Sequence, residues 1–300
     1  MSHVAMFTWQ VVKKTFQEFL RNDSFTYASS IAYYTIFSLP AILIISLSIG
    51  SAFYEHSLVQ QQLVQEAGKL IGVESAREIE KMVIHANYDT SGKLARVIGI
   101  ITLAVSATSV FLSLQSSLNN MWGIKPKPVK GLIRFITNRL LSLAMVISLG
   151  FLLLVSLVID TVLAFFQQRL IILMKGLALQ LISGVNVMIS LMLATVIFGL
   201  IFKVLPDARI KWRDVWVGAL VTTILFTVGK FLIGFYLGNS SFNSAYGAAG
   251  SLVLILVWIY YSTVIMLYGA QLTSVYAAES GRAIEPDRHA VRMKIVEIEN

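Results

Sequence analysis

Six long apolar stretches divide this chain, and they constrain its fold more than any other feature. They cover residues 28–54, 94–118, 140–166, 181–205, 215–236 and 250–276. Each contains at least the ~20 residues that a helix needs to cross the hydrocarbon core of a bilayer. Only two charges, Asp160 and Lys230, lie clearly inside these stretches. The sequence therefore predicts an all-α, polytopic membrane protein with six transmembrane helices, called spans one to six below.

The distribution of basic residues predicts how these spans are oriented. Sixteen Lys and Arg residues fall in the N-terminal segment, the loops after spans two and four, and the tail, whereas seven fall in the other loops. Because Lys and Arg favour cytoplasmic loops, we expect both termini to be cytoplasmic (N-in, C-in). The net charge of +8 therefore indicates membrane orientation and not nucleic-acid binding. We expect a multi-pass membrane protein.

The remaining segments add little to this single membrane domain, which covers residues 1–276. The loop over residues 55–93 has apolar residues at helical spacing, which predicts two short amphipathic helices over the outer face. The cytoplasmic tail, residues 277–300, is polar, and we expect short helix or disorder there.

The N-terminal segment has the pattern of an amphipathic helix. Trp9, Val12, Phe16 and Phe19 share one face, and Lys13, Lys14, Gln17 and Arg21 lie towards the other. Two interpretations are equally open at this point. The helix lies in the cytoplasmic membrane interface, or it packs against its own bundle.

Hydroxyl-bearing residues follow one face of several spans. The stripes are Ser30, Tyr34 and Ser38 in span one; Thr102, Ser106, Ser109, Ser113 and Ser117 in span two; and Thr223, Thr227 and Lys230 in span five. Polar groups at membrane depth are costly, so these faces could line a shared polar cleft. The alternative is that small hydroxyl residues let transmembrane helices pack closely.

The two internal charges lie at similar depth, near the outer ends of their spans. Opposite charges at one depth favour pairing. We therefore predict an ion pair between Asp160 and Lys230 near the outer mouth of the cleft. Separate snorkelling of the two side chains is the alternative.

Span six combines aromatic, amide and glycine residues. Its polar and aromatic members include Trp258, Tyr260, Tyr261, Tyr268 and Gln271, of which Gln271 joins the candidate cleft. The glycines Gly218, Gly229, Gly234, Gly247, Gly250 and Gly269 are interpreted as close-packing points between helices and not as a phosphate-binding loop.

Residues that support hydrolysis or metal binding are scarce. The chain has no cysteine, and none of its four histidines falls in a span or forms a His-Glu-x-x-His pattern. A serine hydrolase needs a histidine and an acid close to the serine, and a two-metal site needs clustered carboxylates. The sequence therefore predicts no enzyme activity and no cofactor.

Several strings resemble the YihY/BrkB family of bacterial inner-membrane proteins over nearly the whole chain. They are Ala28-Ser-Ser-Ile-Ala-Tyr-Tyr-Thr-Ile-Phe-Ser-Leu-Pro40, Leu114-Gln-Ser-Ser-Leu-Asn119 with Trp122, Leu205-Pro206-Asp207, Trp216-Val-Gly-Ala219, Tyr246-Gly-Ala-Ala-Gly250 and Tyr268-Gly-Ala270. The resemblance implies a six-span, all-helical, multi-pass fold in the bacterial inner (cytoplasmic) membrane. Where family members often have Gly-Ala-Glu, this chain has Gly-Ala-Gln271.

The resemblance implies several different functions. Some members carry the label ribonuclease BN, others are called serum-resistance or virulence factors, and one branch is linked to lipopolysaccharide export. The short cytoplasmic loops lack metal ligands, which argues against a ribonuclease.

The functional expectation is transport, or the handling of a lipid or envelope component, through a polar cleft bordered by spans one, two, five and six. The alternatives are a small-solute or ion carrier and a non-transporting scaffold of an envelope complex. The expected partners are membrane lipids, with envelope proteins as a further class and nucleic acid excluded. The oligomeric state is left open.

Overall fold

The computed structural model describes residues 3–50, 55, 57–61, 64, 109–127, 177–239, 250–282 and 284–293, and this part of the chain is mostly helical. Its helices are α1 (His3–Arg21), α2 (Ser24–Gly50), α3 (described over residues 109–121), α4 (Leu177–Val204), α5 (Trp212–Asn239) and α6 (Gly250–Glu279). Its strands are β1 (Ile124–Pro126), β2 (Ala208–Arg209), β3 (Glu285–Pro286) and β4 (Ala290–Arg292).

Three of these helices contain segments long and apolar enough to cross a membrane. The segments are Val187–Val204 in α4, Trp212–Ile233 in α5 and Ile255–Glu279 in α6, which correspond to predicted spans four, five and six. The 27 residues of α2 cover most of predicted span one. Span two is described only from residue 109, and span three lies outside the described residues.

Helix α6 is the central element of the described bundle, because it packs against α1, α2 and α5, while α4 packs against α5. The most deeply buried apolar side chains come from different helices and include Leu118, Phe202, Val215 and Leu267. They lie near the end of the bundle where α1, all four strands and their connecting loops are found. We call this the basic end.

The basic end contains strands, which the all-α prediction did not include. β1 pairs antiparallel with β4, and β2 with β3, so the tail joins the loop after α3 and the loop after α4. The expectation of short helix or disorder in the tail is therefore wrong for residues 285–286 and 290–292. The two loops present unpaired backbone groups, and the extended tail satisfies them.

The tail leaves α6 at a specific backbone motif. Gly281 has a φ of +70°, the left-handed conformation that glycine adopts without strain. The N–H of Arg282 donates to the Ala277 carbonyl at 2.8 Å, and that of Gly281 to the Ala278 carbonyl at 3.0 Å. These two bonds form a Schellman motif that ends the helix and turns the chain towards the loops.

Other predicted elements are described only in part. Residues 57–61 are helical, with Val59 buried, and the rest of the predicted outer helices lies outside the described residues. In α1, Phe19 is buried in the bundle, whereas Trp9 and Phe16 are exposed. The predicted apolar face of α1 is therefore divided between the bundle and its surroundings.

Candidate functional site

A groove of about 590 Å³ lies between α2 and α6. Its lining residues are Ser29, Ser30, Ala32, Tyr33 and Tyr34 from α2, and Leu256, Val257 and Tyr260 from α6. Most of these side chains are exposed, including Tyr33 at 58%. The groove therefore opens at the side of the described bundle.

The position of the groove along the bundle follows from a contact between α2 and α6 at the basic end. The Asn22 side-chain amide donates to Gln271 Oε1 at 2.9 Å, which places the start of α2 beside this part of α6. Tyr33 and Tyr260 each lie eleven residues further along their helices, or ~16 Å at ~1.5 Å per residue. The hydrocarbon core of a bilayer is ~30 Å thick, so the groove lies about half of that thickness from the Asn22–Gln271 contact.

The groove walls are mainly apolar and carry a few hydrogen-bonding groups. The Ser29 and Ser30 hydroxyls donate to backbone carbonyls of their own helix, at 2.8 and 3.1 Å. Their oxygens remain able to accept a hydrogen bond. In the described structure, the hydroxyls of Tyr33, Tyr34 and Tyr260 have no hydrogen-bond partner. Such walls can contact an acyl chain and also donate to an ester or phosphate oxygen.

Two of the predicted cleft residues, Ser30 and Tyr34, line this groove. Ser38, the third member of that stripe, is buried, and its hydroxyl donates to the Thr35 carbonyl at 3.0 Å. The stripe is therefore partly in the groove and partly in the packed interior. Sequence reasoning did not single out Tyr33, which is adjacent to the stripe.

The hydroxyls of span five are placed differently. Thr223 is buried and bonds the Thr195 hydroxyl of α4 at 3.1 Å. Thr223 and Thr227 also donate to carbonyls one turn earlier in α5. At Thr223, the hydroxyl stripe of α5 therefore joins two helices instead of lining the groove. Lys230, further along α5, is half-buried.

The stripe of span two is described only at its basic end. Ser109 and Ser113 are half-buried, and Ser117 is buried and donates to the Ser113 carbonyl at 2.7 Å. Thr102 and Ser106 lie outside the described residues, as does Asp160. The ion pair between Asp160 and Lys230 stays a prediction.

Gln271 is buried at the basic end and accepts the hydrogen bond from Asn22. It borders a second pocket of about 420 Å³ together with Lys14, Arg21 and Asn120. Sequence reasoning did not identify Asn22. The Asn-Asp pair at the junction of α1 and α2, with Asp23 at a φ of +50°, was the available signal, because such pairs favour turns.

Three of the strings that carry the family resemblance meet at the basic end. The Asp207 carboxylate accepts hydrogen bonds from Asn119 at 2.8 Å and Gln115 at 3.3 Å, and its N–H donates to Asn119 Oδ1 at 2.9 Å. The Trp122 indole N–H donates to the Ala270 carbonyl at 2.9 Å. These bonds connect the end of α3 to α6 and to the loop after α4.

Helices α5 and α6 contact each other through reciprocal glycine and threonine residues. A Cβ added at Gly218 would overlap the Thr273 hydroxyl, and one added at Gly269 would overlap the Thr222 hydroxyl. A Cβ at Gly229 would overlap the Tyr261 ring. The prediction that these three glycines are close-packing points is confirmed.

The same pair of helices is joined at the basic end by a buried ion pair. Asp214, in the first turn of α5, is 1% exposed. Its carboxylate accepts three hydrogen bonds, at 2.8, 3.1 and 3.3 Å, from two nitrogens of the guanidinium of Arg282, which follows α6. The hydrogen bond that Arg282 donates to the Asp214 carboxylate raises the pKa of Arg282. Such two-pronged contacts fix geometry as well as charge.

Residues that could hold a metal are sparse in this region. The described residues contain no group of three or more His, Asp or Glu side chains close enough to bind one ion.

Comparisons with known proteins give the family. A sequence profile described as Virulence factor BrkB matches residues 15–294. Similar curated proteins, each named a UPF0761 membrane protein, come from Alkalilimnicola ehrlichii (27% identity; 93% of this chain, 61% of the relative), Verminephrobacter eiseniae (26%; 90% and 63%) and Xanthomonas campestris pv. campestris (28%; 87% and 59%). This chain thus spans about three fifths of the length of these relatives. No solved structure matches it. The match over nearly all of its length shows that the chain belongs to the BrkB family of membrane proteins.

Proposed function

We propose that this protein handles a lipid or lipid-like envelope component through the groove between α2 and α6. The observation that supports the proposal is a side-facing groove with apolar walls and tyrosine hydroxyls. We infer from its distance to the Asn22–Gln271 contact that it lies within the hydrocarbon core. A groove at that depth is filled by acyl chains, because water is excluded from the hydrocarbon core. A lipid tail against Leu256 and Val257, with a polar oxygen bonded by Tyr34 or Tyr260, fits these walls.

A soluble solute fits the same groove less well. A small ion or sugar would need a continuous polar path from water, and the groove walls are mainly aliphatic and aromatic carbon. The hydroxyls of Thr195 and Thr223 already bond each other between α4 and α5. The described polar groups therefore favour a lipid over a small-solute or ion carrier.

The proposal includes a multi-pass protein of the bacterial inner membrane with six spans and both termini in the cytoplasm. Its partners are membrane lipids, and neither enzyme activity nor a cofactor is part of it. Because the chain has no cysteine, single cysteines can test the orientation. Cysteines at Lys127 and Arg288 should react with a membrane-impermeant maleimide only after the inner membrane is permeabilised.

Lipid profiling of gently purified protein tests the function. Ser30→Phe fills the groove, and Ser190→Phe, at an exposed serine of α4, is the matched control. We expect wild type and Ser190→Phe to retain the same distinct lipid, and Ser30→Phe to lose most of it. Equal lipid profiles in all three proteins would contradict the proposal.

A second candidate, a non-transporting scaffold of an envelope complex, has support from the close packing of α5 against α6 and the ion pair that joins them. A rigid bundle suits a protein that holds partners in place. Under this candidate, filling the groove leaves the lipids unchanged, and the same envelope proteins are captured with wild type and with Ser30→Phe.

A further inference from the structure

Helix α1 has three distinct sectors, and one of them packs on the bundle. Val11, Thr15 and Phe19 are buried. The ring of Phe19 lies 5.6 Å from that of Tyr268, and the ring of Phe7 lies 6.2 Å from that of Tyr276. This sector holds α1 against the last turns of α6.

The second sector is apolar and faces away from the bundle. Trp9 is 64% exposed, and Met6, Phe16 and Leu20 are each about half exposed. At ~100° per residue, Trp9, Phe16 and Leu20 fall within an arc of about 40°. Several large apolar side chains on one exposed arc form a surface that water disfavours.

The third sector is polar. Gln10, Gln17 and Arg21 are exposed, and Lys14 forms an ion pair with Glu279 at 2.6 Å. A helix needs separate protein, apolar and polar sectors only where three surroundings meet. That condition holds at the boundary of a bundle, a lipid leaflet and water.

The depth of α1 agrees with this boundary. Its Phe7 contacts Tyr276, near the end of the α6 membrane segment. On α5, Trp216 is exposed two residues before Gly218, which meets Thr273, so it lies at a similar level. Tryptophan is enriched at membrane–water interfaces. The apolar sector of α1 also continues into exposed Phe25 at the start of α2.

We infer that α1 is an in-plane anchor whose outward sector inserts into the acyl layer of the leaflet at the basic end. Trp9, Phe16 and Leu20 enter the lipid, and the polar sector faces the headgroups and water. On the same projection, Lys13 falls between Leu20 and Met6, on the side of the apolar sector next to the polar one, and Arg21 lies on the polar sector. Both side chains can extend towards lipid phosphates. The anchor fixes the start of α2, which forms one wall of the groove.

Single cysteines labelled with an environment-sensitive fluorophore test the insertion in the full chain. Trp9→Cys and Phe16→Cys report the apolar sector, and Gln10→Cys is the matched control on the polar sector of the same helix. All three side chains are exposed, so the packed sector is unchanged. The labelled proteins are placed in nanodiscs of phosphatidylcholine and phosphatidylglycerol, with and without acyl chains that carry a nitroxide quencher.

We expect blue-shifted emission and several-fold stronger quenching at residues 9 and 16 than at residue 10. Equal quenching at all three positions would overturn the inference, because it would remove the difference between sectors. A blue shift at residues 9 and 16 without quenching would also overturn it, since protein and not lipid would then cover this sector.

Discussion

Helix α6 meets α5 and α2 in opposite ways. Against α5, Gly218 and Gly269 receive the hydroxyls of Thr273 and Thr222, so the two backbones approach closely. Against α2, the contact leaves a groove of about 590 Å³ that opens to the side. One side of α6 is filled by protein, and the other has space for a further molecule.

The difference between these two contacts shows that hydroxyl residues in membrane helices have two roles. Thr222 and Thr273 donate to the carbonyls of Gly218 and Gly269 in their own helices and fill the space opposite the other glycine. Ser30 also donates to its own helix, but it borders open space. The residue type is similar, and the partner across the contact decides the role.

The largest expected loss of stability comes from a substitution in the contact between α5 and α6. Gly218→Ala places a methyl group against Thr273 and 2.9 Å from the Gly269 carbonyl oxygen. Overpacking of this kind costs about 1–3 kcal/mol. We expect a clear fall in the thermal unfolding midpoint of the purified protein, measured by loss of the folded peak in size-exclusion chromatography after heating.

Gly184→Ala is the matched control, because a Cβ at Gly184 in α4 meets nothing within 4 Å. Its midpoint should be unchanged or slightly higher. Adding Thr273→Ala to Gly218→Ala should recover part of the loss. A Gly218→Ala protein as stable as the control would disprove the close contact.

A smaller effect is expected where the tail joins α5 to α6. Asp214→Asn removes the charge that Arg282 binds, and the Arg282 side chain is 26% exposed. Water therefore solvates the freed guanidinium in part, which limits the loss. We expect a modest fall in the midpoint and several-fold faster tryptic cleavage of the tail. Arg282→Ala should act similarly, and the double variant should be no worse than either single one. Additive losses would contradict the pairing.

The effect of acid on the attachment of the tail to the loop after α4 should be smaller still. The backbone N–H of Arg288 and the Arg209 side chain lower the pKa of Asp287 below its usual 3.8. The contribution of this carboxylate to the stability of the folded tail is therefore present above pH 3.8. It is lost as the pH falls through the lower pKa of the folded state. A fluorophore at Val291→Cys should gain mobility only in that acid range. In Arg209→Gln, the fluorophore should gain mobility at a higher pH than in wild type. An unchanged dependence of mobility on pH would argue against the pair of Arg209 and Asp287.

The smallest effect is expected on the α2 side. Ser30→Phe extends into open space instead of into a packed contact, so the midpoint should stay close to that of wild type. Gly218→Ala adds only one methyl group, yet we expect it to lower the midpoint more than the whole phenyl ring of Ser30→Phe does. A large loss of stability in Ser30→Phe would show that the groove is closed by protein.

Periodicity and composition predicted the membrane-length segments of α4, α5 and α6, because the length and apolarity of a span are local properties. The glycines of α5 and α6 were also predicted as packing points. The tail strands were not, because their pairing partners, Ala208 and Ile124 among them, are far away in sequence. The hydroxyl stripes gave no means of separating Thr223, which faces Thr195, from Ser30, which lines the groove. That distinction depends on how helices are rotated against each other.

Photocrosslinking from inside the groove is the most direct test of whether the groove between α2 and α6 binds a lipid. The photoreactive amino acid p-benzoylphenylalanine is placed at Tyr34 and, as a control, at Phe231, which is 72% exposed on α5 at a similar depth. The adducts are identified by mass spectrometry. We predict that the Tyr34 adducts contain a selected lipid, whereas the Phe231 adducts reflect the bulk membrane. Bulk composition at both positions, or no lipid adduct at Tyr34, would contradict a lipid-binding groove.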